Sequence, residues 1–194
     1  MRRPPVLLVL MALALAAPAW AQAQPATQTP LTTLCIGLPE CEPGYVPGQK
    51  PAPDPLAPAN AALMREDWAT ARALLAPLAE AGNAEAQHKL GDLFYKGRGG
   101  AVDYLAAGKW YARAAEALGT DWAHEAQYNL GLMHAAGQGM PKDPHGALMW
   151  LEIATASGSD LAPDTAAILA AKLTPQQAAA AREHARTWLA ARGK

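Results

Sequence analysis

The feature that most constrains this chain is a recurrence at a spacing of 40 residues. Ala86-Gln-His-Lys-Leu90-Gly91-Asp-Leu93-Phe94 returns as Ala126-Gln-Tyr-Asn-Leu130-Gly131-Leu-Met133-His134. Gly97-Arg-Gly99 returns as Gly137-Gln-Gly139, and Asp103, Ala107, Trp110 and Ala114 return as Asp143, Ala147, Trp150 and Ala154. A nucleotide loop would explain the Gly-x-Gly in isolation. It would require a preceding strand and a third glycine, and Lys142 stands where that glycine belongs. A phosphate loop also has no reason to recur together with its flanks. A repeated helical unit does.

The apolar spacing within each copy is helical, and the residues between helices have matching roles. Asp67, Asp103, Asp143 and Thr174 each precede a helical run and can accept a hydrogen bond from an N–H two or three residues on. Thr174 with Gln177 reads as a capping box, with Pro175 at the first helical position. Gly97, Gly99, Gly137 and Gly139 let the chain reverse after a helix. Gly91 and Gly131 fall inside helices, where glycine costs about 1 kcal/mol relative to alanine, so close helix–helix approach is expected there. Trp110 and Trp150, with the alanines around them, are expected to form the packing face of the second helix. The composition agrees with an all-α domain: 51% hydrophobic but only 6% aromatic, with alanine prominent.

Outside the repeats the chain changes character. Met1-Arg2-Arg3, an apolar run from Val6 to Ala17 and Ala19-Trp20-Ala21 read as a secretory signal peptide over residues 1–21, too short for a membrane span. Ala23 offers a second cleavage position. The design suggests export to the periplasm of a Gram-negative bacterium, or secretion. Cleavage removes Arg2 and Arg3 from 16 basic residues set against 17 acidic ones, so the formal charge moves from −1 to −3. That balance argues against nucleic acid and anionic membranes as partners. Residues 22–58 form a proline-rich extended segment. Within it Cys35 and Cys41 flank Gly37 and Pro39, and in an oxidising compartment a small disulfide loop is the natural reading. Metal binding, with only Glu40 and Glu42 as neighbouring ligands, and reactive or intermolecular thiols are the alternatives. Between Glu42 and Pro58 six positions are proline, a composition expected to exclude helix and to serve as a spacer or as a proline-rich ligand.

Leu-Gly-x-x-Phe/His, then Gly-x-Gly, then Asp-x-x-x-Ala-x-x-Trp resembles the Sel1-like repeat, a relative of the tetratricopeptide repeat. The resemblance covers about residues 59–192, with central repeats near 84–117 and 123–157 and degenerate capping repeats at both ends. It implies a short α-solenoid of antiparallel helix hairpins whose first helices line a concave face. It also implies a non-catalytic adaptor or regulator that binds another envelope protein or peptide, with no cofactor. On the concave face the resemblance places Glu85, Lys89, Asp92 and Lys96 from the first repeat, and Glu125, Asn129, Leu132 and Ala136 from the second. Lys89, Asp92 and Asn129 are expected to direct hydrogen bonds into the groove. Ala86, Leu90, Leu93 and Gly97, with Ala126, Leu130, Met133 and Gly137, take the buried stripe.

Other classes fit less well. Secreted relatives associated with β-lactams suggest an enzyme, and a cell-wall binder is a third class. The only serines, Ser157 and Ser159, begin neither Ser-x-x-Lys nor a nucleophile elbow. His124-Glu125 has Tyr128 where a zinc helix needs its second histidine, and the five histidines show no metal-ligand spacing. His134 is expected in the core, and Met133, Met140 and Met149 as core filler.

Overall fold

The computed structural model describes residues 53–193; the expected signal peptide and the expected Cys35–Cys41 loop lie outside them. The described residues form eight helices: α1 (Ala57–Met64), α2 (Trp68–Glu80), α3 (Ala84–Tyr95), α4 (Tyr104–Ala114), α5 (Asp121–Ala136), α6 (Pro144–Ala156), α7 (Ala162–Ala170) and α8 (Pro175–Ala190). Each packs on the next, except that α8 returns to α6. α3 and α5 also touch each other, so the first helices of successive hairpins lie side by side. The result is an all-α stack of antiparallel hairpins.

Caps define the helix starts. Asp67 accepts from the Thr70 N–H, Asp103 from Ala106 and Asp143 from His145. Thr174 and Gln177 form the reciprocal capping box. The two central aspartates are held from both sides. The Asp103 N–H donates to the Phe94 carbonyl and the Asp143 N–H to the His134 carbonyl, so each cap ties its own helix to the one before. One boundary differs from expectation: α1 begins at Ala57, inside the proline-rich stretch. Pro58 sits in its first turn, where the missing N–H would have no helical partner anyway.

Gly91 and Gly131 mark close approach, and the residues that meet them are Tyr111 and Leu151. A methyl carbon on Gly91 would lie 2.8 Å from the Tyr111 ring, and one on Gly131 would lie 2.8 Å from Leu151 Cγ. Tyr111 and Leu151 are each 1% exposed. Trp110 and Trp150, one residue earlier, pack against the core clusters as expected but are only half buried. Trp110 carries the Arg113 guanidinium 4.7 Å from its ring centre, and Trp150 meets the edge of Trp188. Ala107, Ala114, Ala147 and Ala154 are fully buried, as the repeat pattern requires. Of the expected stripe, Ala86, Leu90, Leu93, Ala126, Leu130 and Met133 are buried. His134 is only half buried: its ring lies beside Asp143 and against Gly146 at the start of α6, at the edge of the stack.

Two further contacts repeat. Gln87 donates to the Ala79 carbonyl at 2.9 Å, and Gln127 donates to the Ala115 carbonyl at 3.0 Å. Each buried amide thereby donates to a carbonyl at the end of the preceding helix, where the helical donors run out; the Ala79 carbonyl also accepts from the Gly82 N–H and Arg113. The second glycine of each loop rests on the start of an earlier helix. Gly99 and Gly139 have φ of 76° and 73°. A methyl carbon on Gly99 would stand 2.7 Å from the Trp68 carbonyl, and one on Gly139 would stand 2.6 Å from the Tyr104 carbonyl. Only glycine satisfies both the conformation and the contact.

Candidate functional site

α3 and α5 form the sides of a hollow of about 470 Å³, with Tyr111 of α4 reaching through from behind and Ser159, Asp160 and Leu161 closing one end. His88, Asp92, Tyr95 and Lys96 come from the α3 side, and His124, Glu125, Tyr128, Asn129 and Leu132 from α5. These are positions three, four and seven apart along each helix, which share a face. A second hollow of about 350 Å³ adjoins across Asp92 and Lys96, with Leu63, Met64, Trp68, Lys89 and Arg98 in its walls.

The sequence-expected residues therefore divide. Asp92, Lys96, Glu125, Asn129 and Leu132 line the larger hollow. Lys89 lines the smaller one, and Glu85 and Ala136 line neither. Lys89 is engaged within the protein: its ammonium pairs with Glu85 at 2.5 Å and donates to Asn60 at 2.6 Å. It also lies 5.3 Å from the centre of the Trp122 ring. Asp92 accepts from the Tyr111 hydroxyl at 2.6 Å and pairs with Lys96. Asn129 lies 3.2 Å from His88 Nε2. So Lys89, Asp92 and Asn129 brace the walls: the Lys89 ammonium and the Asp92 carboxylate are already partnered, and the Asn129 amide nitrogen rests against His88.

His88 was not singled out by sequence, yet it forms the middle of the floor. Its side chain is 9% exposed and contacts the rings of Tyr111 and Trp122, each at 5.6 Å between centres. Its Nε2 lies 3.5 Å from Glu125 and 4.0 Å from Asp92, while Nδ1 has no hydrogen-bond partner among the described residues. Burial pushes the imidazole below the usual histidine range, outweighing the two carboxylates, so it is neutral at pH 7. Burial alone would raise the Asp92 carboxyl, but hydrogen bonds from Lys96 and Tyr111 outweigh it and hold that group below its ordinary value. Burial, then the Asp92 charge, pushes the Tyr111 hydroxyl far up. The floor is thus fixed, aromatic and uncharged apart from Asp92.

Ser159 also borders the hollow and is 7% exposed, whereas the Ser157 hydroxyl has no hydrogen-bond partner among the described residues. Neither hydroxyl bonds a histidine or lysine there, so no nucleophile–base pair is assembled at this end. Among the described residues no three metal-binding side chains converge, and no helix is long and apolar enough to cross a membrane.

A stack of capped hairpins with glycine-seated joints and a groove between first helices defines a class. The chain carries two Sel1 repeats, at residues 84–117 and 124–159. Its fold resembles the crystal structure of c5321, described as a protective antigen present in uropathogenic Escherichia coli strains displaying an SLR fold. That similarity has a TM-score of 0.63 and 28% identity, and spans 70% of this chain and 30% of that one. A Sel1 repeat protein from Oxalobacter formigenes is similar with a TM-score of 0.52 and 25% identity, over 64% of this chain and 51% of that one. In Arabidopsis thaliana, the ERAD-associated E3 ubiquitin-protein ligase component HRD3A is 39% identical over 66 residues, and HRD3B is 34% identical over 110. Those stretches span 34% and 57% of this chain, but only 9% and 17% of the relatives' own length.

Proposed function

We propose that the protein is a non-catalytic adaptor or regulator of the bacterial envelope, exported by its signal peptide, that holds a segment of a partner protein in the α3–α5 hollow. The observation that carries this reading is the rigid floor of Tyr111 and His88 beneath an open rim, on the face where first helices meet. A preformed floor lowers the ordering cost of binding. Exposed Leu132 and Leu161 on the rim, 36% and 66% accessible, give a partner apolar surface to cover. The similarity to HRD3A and HRD3B, named as components of a ligase assembly, supports an interaction role over catalysis.

The test is a pull-down from envelope extract with the mature protein and a Leu132→Trp variant, whose larger side chain would obstruct the hollow without touching its floor. The wild type is expected to capture a partner that the variant, equally stable by thermal melting, loses. Capture of the same partners in the same amount by both would reject the groove. The intact mass of periplasmic protein tests the export part: cleavage after Ala21 or Ala23 supports it, and retention of Arg2 and Arg3 rejects it.

A further inference from the structure

This inference rests on the groove reading above and concerns what the groove selects. The side chains facing into the larger hollow are not charge-balanced. Asp92, Glu125 and Asp160 line it against a single lysine, Lys96, which is paired with Asp92. Glu125 is half exposed, and its ionic neighbour is His88, which burial keeps neutral. Asp160 is exposed and has no ion-pair partner among the described residues. Two carboxylates on different elements, α5 and the turn before α7, therefore open onto one recess without a cation.

The recess beneath them is aromatic and apolar: Tyr95, Tyr111 and Tyr128, with Leu132 and Leu161 at the rim. His88 adds a side chain nine-tenths buried whose Nδ1 is without a partner. Tyrosine faces accommodate the stem of a long side chain and attract a cation, and carboxylates at the edge complete its head group with charge-assisted hydrogen bonds. The imbalance is local. In the adjoining hollow Lys89 is paired with Glu85 and Lys96 with Asp92, which leaves Arg98, over the Trp68 ring, as the cation without an ion pair among the described residues. A uniformly basic partner would be repelled there, so the complement is a single basic residue in a polypeptide segment.

We propose that the α3–α5 hollow is a subsite for one lysine or arginine side chain of a partner polypeptide, with Glu125 and Asp160 taking its charge and Leu132 and Leu161 taking a neighbouring apolar residue. A random nonapeptide phage library panned on the mature protein tests this. Enriched peptides are then synthesised and titrated by fluorescence anisotropy against wild type, Glu125→Gln/Asp160→Asn and Leu132→Trp. The expected result is a shared lysine or arginine beside an apolar residue. Affinity should fall about tenfold or more in the double variant, the loss of charge-assisted hydrogen bonds. It should also fall in Leu132→Trp. Both changes lie on the exposed rim, and a thermal melt checks that folding is intact. Peptides without a basic residue that still depend on Leu132 would overturn the charge assignment and leave the groove standing. Peptides indifferent to Leu132→Trp, or no enrichment, would overturn both.

Discussion

Replacing Gly91 by alanine sets two effects of opposite sign against each other. In the middle of a helix, Gly→Ala should stabilise by up to about 1 kcal/mol through backbone entropy. The added methyl carbon, however, would stand 2.8 Å from two Tyr111 ring carbons, where an ordinary carbon contact is roughly 3.5–4 Å. The ring cannot swing aside cheaply, because it is 1% exposed and its hydroxyl is anchored on Asp92 at 2.6 Å. Overpacking of this kind costs about 1–3 kcal/mol, so Gly91→Ala should be destabilising by roughly 0–2 kcal/mol net. Gly108 in α4 is the internal control. A methyl there would meet only the terminal carbons of Met133 and Met140, at 3.4 Å, and those can yield. Gly108→Ala should be neutral or stabilising by up to about 1 kcal/mol. Urea unfolding followed by circular dichroism measures both. If Gly91→Ala stabilises as much as Gly108→Ala, the helices are not locked at this contact. Combining Gly91→Ala with Tyr111→Ala should remove the penalty of the methyl; simple additivity would refute the account.

Leu151→Ala should cost about 2–5 kcal/mol in the same titration, and Trp150→Ala roughly 1–2 kcal/mol because part of its ring is already in water. Equal losses would contradict the placement of the two residues. His88 and His134 are both held below the usual histidine range by burial. The unfolded chain therefore binds their protons first as pH falls, so stability should be full above about 6.5 and decline below it. Melting temperatures from pH 7.5 to 5 read this slope, and His88→Gln should flatten it in part. Thr174→Ala should cost about 1 kcal/mol by removing the capping box.

Much of the scaffold was legible because its determinants are local. An aspartate before a helical run and a glycine after one act on their own neighbours, so Asp103, Asp143, Gly97 and Gly137 announce themselves in any copy. The site was half legible. Glu125, Asn129 and Leu132 follow from spacing together with the family resemblance, but His88 and Tyr111 do not. A helix in a stack touches its hairpin partner and the first helix of the next unit, so its buried arc is wider than one stripe and takes in Gln87, His88 and Gly91. The recurrent tryptophans do pack against the core, but their partial burial was not legible for a related reason. Their repetition shows that the position matters, whereas depth depends on which residue meets the glycine recess, and that is settled one residue later. The repeated Ala-Gln pairs were a usable signal for the buried amides, since glutamine returning at the same place inside an apolar helix requires a fixed acceptor.

The seating of Gly99 on the Trp68 carbonyl and of Gly139 on the Tyr104 carbonyl bears on how such a chain can grow. The joint is backbone against backbone, so it is indifferent to the side chains that the flanking helices carry. An in-frame duplication of one unit would arrive with its own coupling and a ready surface to couple to, while the walls of the new hollow stayed free to diverge. Length and specificity are then separate variables: copying sets how much partner the protein can span, and substitution on the inner helix faces sets which partner it is.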